Sequence, residues 1–163
     1  MGQVTHRIDT TWLNNPVEFY PTVHSKEEYR DSITNLHKHI ESSKEGISSE
    51  EANETNPVKH TYGNGLYIRE IFMPRGQVII SKIHKVAHPF FLIKGKLSVL
   101  TEDGESLLQA PYYSITPAGT KRMLYTHTNS IVVTVHRTFE TELDKIEKEI
   151  IAESFESMEE EII

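Results

Sequence analysis

Eight short segments with strand-like apolar patterns follow one another between residues 61 and 139, and they constrain the fold more than any other feature. Each has seven to ten residues and is separated from the next by turn signals such as MPRG, EDG and PAG. Because so many short strands can bury their apolar faces only against one another, the sequence predicts a closed or sandwiched antiparallel barrel. The strand pattern alone leaves open whether this is a jelly roll or another β-sandwich.

Apolar residues at helical spacing precede the strand-rich segment. Ser25 followed by Glu28 predicts a capping box, and apolar residues then recur at helical spacing until Gly46. The apolar stripe consists of Tyr29, Ile33, Leu36 and Ile40. The polar, acidic stretch 48–57 predicts an exposed linker after this helix.

A second helical pattern follows the strands. The apolar stripe consists of Leu143, Ile146, Ile150 and Phe155. We therefore expect one domain in three zones: an N-terminal helical extension and acidic linker (1–60), a β-barrel (61–139), and an acidic C-terminal helix and tail (140–163).

Formal charge is distributed unevenly over these zones. The whole chain carries -7, yet residues 61–139 hold nine basic and four acidic side chains, giving +5, while the flanks carry -4 and -8. The acidic total argues against general nucleic-acid binding, whereas the basic barrel suits a small anionic ligand. No apolar run approaches the roughly 20 residues that a bilayer requires, so we expect no membrane partner.

Two absences bear on the compartment and on the chemistry. The start of the sequence has no apolar stretch typical of a signal peptide, so a cytoplasmic protein is expected. The chain has no cysteine, which excludes disulfides and thiolate metal sites.

Two segments carry a resemblance to a known family. The stretch GQVIISKIHKVAHPFFLIKGKLSV resembles the first motif of the cupin superfamily, and APYYSITPAGTKR resembles the second. This resemblance implies a mainly β chain folded as a cupin-type double-stranded β-helix, which is a jelly-roll barrel, here with an N-terminal amphipathic helix and a C-terminal helix. Residues 62–150 are also similar to small, uncharacterised cupin-like proteins of tailed bacteriophages. That similarity implies that the protein is located in the host cytoplasm. It leaves association with the virion open.

The resemblance also implies a metal site. The motif positions that carry metal ligands in cupins hold His84 and His88 here, while Lys82 and Arg122 replace two other ligands. His136 is the best third ligand, because in the cupin topology the last strand lies beside the strand that follows the first motif. Three imidazoles suit Zn, Fe, Mn or Ni, and no motif indicates a nucleotide cofactor.

Strand alternation predicts which charged residues face the barrel cavity. Val78 and Ile80 share one strand face with Lys82 and His84, so all four should point inward if the first two line the core. Arg122 shares a face with Leu124.

One carboxylate belongs to the same prediction. Glu70 alternates with Leu66, Ile68 and Phe72, so it is expected to face inward as an acidic metal ligand or as the counter-ion of Arg122. Lys82, Arg122 and Glu70 are therefore the predicted ligand-binding residues.

These observations lead to one functional prediction and two alternatives. The chain is predicted to bind a divalent metal through His84, His88 and His136, together with a small anionic ligand. The alternatives are a metal-free cupin that binds or sequesters an anionic small molecule, and a non-enzymatic component of a virion or another assembly. Because no nucleophile or general base is identifiable, the sequence leaves open whether the protein is an enzyme.

Apolar surface predicts self-association. If the stripes of both helices and the apolar segment from Trp12 to Tyr20 are exposed, they favour a homo-oligomer, with a dimer as the first expectation.

Overall fold

The computed structural model describes residues 5–7, 25–42 and 54–160 of the 163-residue chain. The strands are β1 (Thr5–Arg7), β2 (Val58–Gly63), β3 (Leu66–Met73), β4 (Gln77–Ile80), β5 (Ile83–His84), β6 (His88–Lys94), β7 (Lys96–Thr101), β8 (Gly104–Gln109), β9 (Tyr112–Thr116), β10 (Met123–Thr126), β11 (Ser130–Arg137) and β12 (Ile151–Ala152). The helices are α1 (Lys26–Ser42), α2 (Leu143–Ile150) and α3 (Phe155–Glu160).

Two five-stranded antiparallel sheets form the barrel. The first has the order β1-β4-β10-β7-β8 and the second has the order β2-β3-β11-β6-β9, so consecutive strands repeatedly cross from one sheet to the other. β12 pairs separately with β5. The mainly β, jelly-roll fold with terminal helices is thus confirmed.

The barrel core lies between the inner faces of the two sheets. Its buried side chains are Ile71, Met73, Ile79, Phe90, Leu92, Leu97, Val99, Leu124 and Val132. Both sheets contribute to this cluster, as the packing of two facing sheets requires. One end of the barrel is therefore filled with apolar side chains, which leaves the other end for polar residues.

Helix α1 packs on the outer face of the first sheet. The Ser25 hydroxyl accepts the Glu28 N–H at 3.1 Å, which confirms the predicted N-cap. The buried stripe of the helix meets side chains from β4 and β10: Tyr29, Ile33 and Ile40 pack with Val78, Ile80 and Met123. The stripe is covered within the chain, so it does not supply the exposed surface from which self-association was predicted.

The predicted C-terminal helix is present, but it is divided into α2 and α3. Helix α2 ends where Ile151 turns to extended backbone, and its neighbour Ala152 completes the two-residue strand that pairs with β5. Ile146 and Ile150 pack against Tyr67. The apolar stripe is split as well, because Phe155 packs beside the α1 cluster instead. Both parts are covered within the chain, which again removes them as interface.

Part of the predicted linker is also ordered. Asn56 is buried, and it donates from Nδ2 to the side-chain oxygen of Gln77 at 2.7 Å while accepting from Gln77 Nε2 at 3.1 Å. The segment from Trp12 to Tyr20 lies outside the described residues. The boundaries of the three zones stay a prediction. No helix in the described ranges has the length and apolar character needed to cross a membrane.

Candidate metal and anion site

Three histidines from three separate strands meet at one end of the barrel. His84 ends β5, His88 begins β6, and His136 lies near the end of β11. One potential ligand atom from each lies within 4.8 Å of the other two. The ring centroids are 4.1 Å apart for His84 and His88, 4.6 Å for His88 and His136, and 5.0 Å for His84 and His136. The structure thus brings together the three residues predicted as metal ligands.

The surroundings of His88 leave one ring nitrogen free. Its Nδ1 lies 3.4 Å from the carbonyl oxygen of Val86, to which it can only donate. Its Nε2 is buried and has no hydrogen-bond partner. The tautomer set by Val86 puts the lone pair on Nε2, and this is the arrangement by which proteins orient a histidine towards a metal.

All three imidazoles are held neutral. Burial, with the neighbouring histidines, Arg122 and Arg69 in support, lowers the pKa of His84 to about 2. Burial and the neighbouring His88 lower the pKa of His136 to about 3. Burial lowers the pKa of His88 to about 4, against an opposing effect of its hydrogen bond to Val86. Neutral imidazole is the form that coordinates a metal.

A buried cavity of about 50 Å³ reaches this cluster at His84. Its polar and charged lining comes from Arg69, Ser81, Lys82, His84, Arg122 and Thr134, and its apolar lining from Ile71, Met73, Ile79, Phe90, Leu124, Val132 and Ile151. The predicted residues Lys82, His84 and Arg122 therefore share one cavity. Among the residues that the structure describes, no acidic side chain lines it.

Glu70 lies on the opposite face of its strand, so the prediction that it faces inward is wrong. Burial along β3 alternates with Tyr67, Arg69, Ile71 and Met73 buried. Arg69 occupies the inward position beside Glu70 and lines the cavity. Sequence reasoning missed Arg69 because both faces of β3 carry apolar residues, which leaves alternation unable to identify the inner face.

Val78 and Ile80 do not line the barrel core as expected. They pack under α1 on the outside of the barrel, whereas Ile79 belongs to the core. Lys82 still reaches the cavity because regular strand geometry is interrupted between β4 and β5. There it pairs with Glu147 of α2.

The C-terminal segment closes the end of the barrel that holds the histidines. Ile151 of β12 lies opposite His84 in the β5–β12 pair and lines the inner cavity. A second, larger cavity of about 580 Å³ lies outside it and shares Lys82 and Ile151 with the inner one. Lys85, Lys121 and Lys148 also line this outer cavity, together with Glu147 and Glu153. The lysines outnumber the carboxylates, so the lining of the outer cavity has a net positive charge.

Comparisons with known proteins complete the description of the fold. The sequence matches no protein-family model and no curated protein. Among solved structures, it is similar to an acetylacetone dioxygenase from Acinetobacter johnsonii, with 20% identity and a TM-score of 0.43 over 50% of this chain and 59% of that one. A cupin-2 domain protein from Shewanella frigidimarina shows 12% identity and a TM-score of 0.43 over 50% and 79% of the two chains. A cupin superfamily protein from Desulfitobacterium hafniense shows 8% identity and a TM-score of 0.45 over 50% and 76%.

The order and pairing of the strands give the chain a mainly β, jelly-roll fold. The matched part spans less than two thirds of the acetylacetone dioxygenase. The resemblance to cupins of tailed bacteriophages stays a prediction.

Proposed function

We propose that this chain is a small cupin that binds one divalent transition metal ion through His84, His88 and His136, and a small anionic ligand next to it. The observation that carries the proposal is the buried, unpartnered Nε2 of His88 within a cluster of three neutral histidines. A buried nitrogen without a partner costs free energy, and a metal ion would satisfy it. An all-imidazole donor set suits Zn, Fe, Mn or Ni.

The residues at this site would have different roles in binding the metal and the anion. A bound divalent ion would supply Lewis acidity towards an oxygen atom of the ligand. Tyr67, whose ring centroid lies 6.1 Å from that of His136, packs beside one ligand and restricts its orientation. Arg122 would repel the metal cation, and an anion between them offsets this repulsion, so we expect metal and anion to favour each other's binding.

Metal analysis tests the proposal. Protein prepared without added metal, and protein reconstituted with Zn, Fe, Mn or Ni, should contain about one ion per chain by mass spectrometry. His84→Gln, His88→Gln and His136→Gln should each lose most of it. His39→Gln is the control, because that histidine lies on the exposed side of α1. If the wild type takes up none of these metals, or if the site variants keep theirs, the metal proposal is wrong.

The second candidate is a metal-free cupin that sequesters an anionic small molecule. The cationic cavity lining, with Lys82 and Arg122 at positions of missing metal ligands, favours it. Anion binding that persists in a chelator, in protein shown to be free of metal, would support this candidate against the first.

Self-association is the remaining part of the proposal. We place the contact of a homodimer on the outer face of the second sheet, where Ile93, Tyr113 and Ile115 are exposed. If the phage resemblance holds and the chain is a component of a virion or another assembly, the same face would contact the other components. A cytoplasmic location, in the host if the chain is phage-encoded, stays part of the proposal.

A further inference from the structure

Side chains on the inner face of the second sheet form successive rows across the strands. The row at the histidine end of the barrel contains Tyr67, His136, His88 and Thr116. The next row contains Arg69, Thr134, Phe90 and Ser114. The third is the apolar row Ile71, Val132, Leu92 and Tyr112. A cationic layer therefore lies between the histidines and the apolar core.

Arg122 enters this layer from the opposite sheet. Its guanidinium carbon lies 4.7 Å from the centroid of the Phe90 ring, in the row of Arg69. Its Nη1 donates to the Thr116 hydroxyl at 3.0 Å, and Thr116 lies directly opposite His88. Two guanidinium groups from different sheets therefore flank one cavity next to the metal site.

Neither guanidinium has an acidic partner within the part of the chain that the structure describes. Arg69 is 7% exposed and Arg122 is 9% exposed, and the Nε atom of each is buried without a hydrogen-bond partner. Among the described residues, no carboxylate forms an ion pair with either arginine. Lys82, the third cation of the lining, already has Glu147. Buried charges without partners are costly, and proteins keep them where a ligand completes the pair.

The cavity limits what this ligand can be. Its volume of about 50 Å³ is about three to five times the 10–15 Å³ that a cavity needs to hold one water molecule, so it admits a ligand of only a few heavy atoms. The planar guanidinium fork matches a carboxylate in two-point contact. Beyond the arginines, the lining combines the polar side chains of Ser81, Lys82, His84 and Thr134 with apolar side chains such as Ile71 and Ile79. The apolar side chains would accommodate a short hydrocarbon tail, which a phosphate lacks.

We propose that Arg69 and Arg122 together form a binding site for a short-chain carboxylate whose tail lies against the apolar end of the cavity. The inference rests on the proposed anion-binding function and adds Arg69 as an anion-binding residue, together with the chemical class of the ligand. It does not require any particular metal.

Calorimetric titration of the full chain with sodium propionate tests the inference, with propionamide as the neutral analogue of the same shape. Propionate should bind and propionamide should not. Arg69→Gln and Arg122→Gln should each weaken propionate binding by about tenfold or more, the loss expected for a buried charged contact. Arg75→Gln, which removes an exposed arginine in a turn, should have no effect.

Stability and metal content separate this role from a structural one. If the arginines serve a ligand, Arg69→Gln and Arg122→Gln should leave the unfolding free energy of ligand-free protein unchanged or raise it, because each removes a buried charge that has no acidic partner among the described residues. Propionate should stabilise the wild type and neither variant. Metal content, measured on the same samples, tests the proposed metal function independently.

Three results would overturn the inference: equal binding of propionate and propionamide, propionate binding that survives both substitutions, or tighter binding of inorganic phosphate than of propionate. If the wild-type protein contains no metal and still binds propionate, the metal site would be overturned and the carboxylate site would be supported.

Discussion

Gly95 connects β6 to β7 under two constraints at once. Its φ is +96°, and a Cβ built on it would lie 2.2 Å from the Ser130 hydroxyl oxygen and 2.7 Å from the Asn129 carbonyl oxygen. We expect Gly95→Ala to lower the free energy of unfolding by about 3 kcal/mol or more, since a left-handed L-residue costs about 1–2 kcal/mol and overpacking adds about 1–3. Urea denaturation of the two proteins measures the difference.

Gly76 provides the matched control for this prediction. It has a similar φ of +84°, but a Cβ there would meet no atom within 4 Å. Gly76→Ala should therefore show only the conformational cost of about 1–2 kcal/mol. Equal losses for the two substitutions would contradict the close packing of Gly95 against Asn129 and Ser130.

Individual site residues were predictable where a motif or the topology placed them. His84 and His88 follow from motif spacing, and His136 follows from the expected neighbourhood of the last strand, and the three do meet. Arg69 was not predictable, because the choice between Arg69 and Glu70 as the inward residue depends on which face of β3 meets the other sheet. That choice is made by contacts distant in sequence.

At the scale of elements, we expect the C-terminal segment to control access to the proposed site. The pair of Lys82 and Glu147 fastens α2 to the mouth of the inner cavity. This partly exposed pair contributes about 0.5–1 kcal/mol to closure, so Glu147→Gln should speed the removal of metal by a chelator about two- to fivefold. Stopped-flow mixing of the metal-loaded protein with a chromogenic chelator measures the rate.

Glu142→Gln is the control for this experiment. Glu142 pairs with Lys145 on the exposed side of α2, away from the cavity lining, and the substitution should not alter the rate. An unchanged rate for Glu147→Gln as well would show that the C-terminal segment does not limit access to the histidines.

Elements were predictable to the extent that their pattern is local. The eight predicted strand segments correspond to β3–β11, with one of them divided into β4 and β5 at Ser81 and Lys82. The N-cap of α1 was also read correctly. β12 was missed, because its two residues continue a helical apolar stripe in the sequence and become a strand only by pairing with β5.

At the scale of the whole molecule, the outer face of the second sheet carries exposed apolar side chains. The core clusters formed by the described residues do not cover this face. Tyr113 is 78% exposed, Ile115 64% and Ile93 52%. Phe91 lies opposite Tyr113 on the same face, with ring centroids 6.3 Å apart. β9 is also the edge strand of this sheet, so both its backbone and its apolar side chains are available for pairing. The sequence predicts self-association from the helical stripes, which the fold buries, and from the segment from Trp12 to Tyr20, which lies outside the described residues.

A second copy of the chain is the partner we expect on this face, because an isologous contact would cover the apolar side chains and the free edge of β9 together. The wild type should sediment as a dimer at micromolar concentration. The double variant Tyr113→Lys with Ile115→Lys should sediment as a monomer, since like charges would then meet across the two-fold axis. Leu107→Lys, at a residue of β8 in the other sheet that is 58% exposed, is the matched control and should remain dimeric. A wild type that stays monomeric throughout, or a double variant that still dimerises, would exclude this face as the interface.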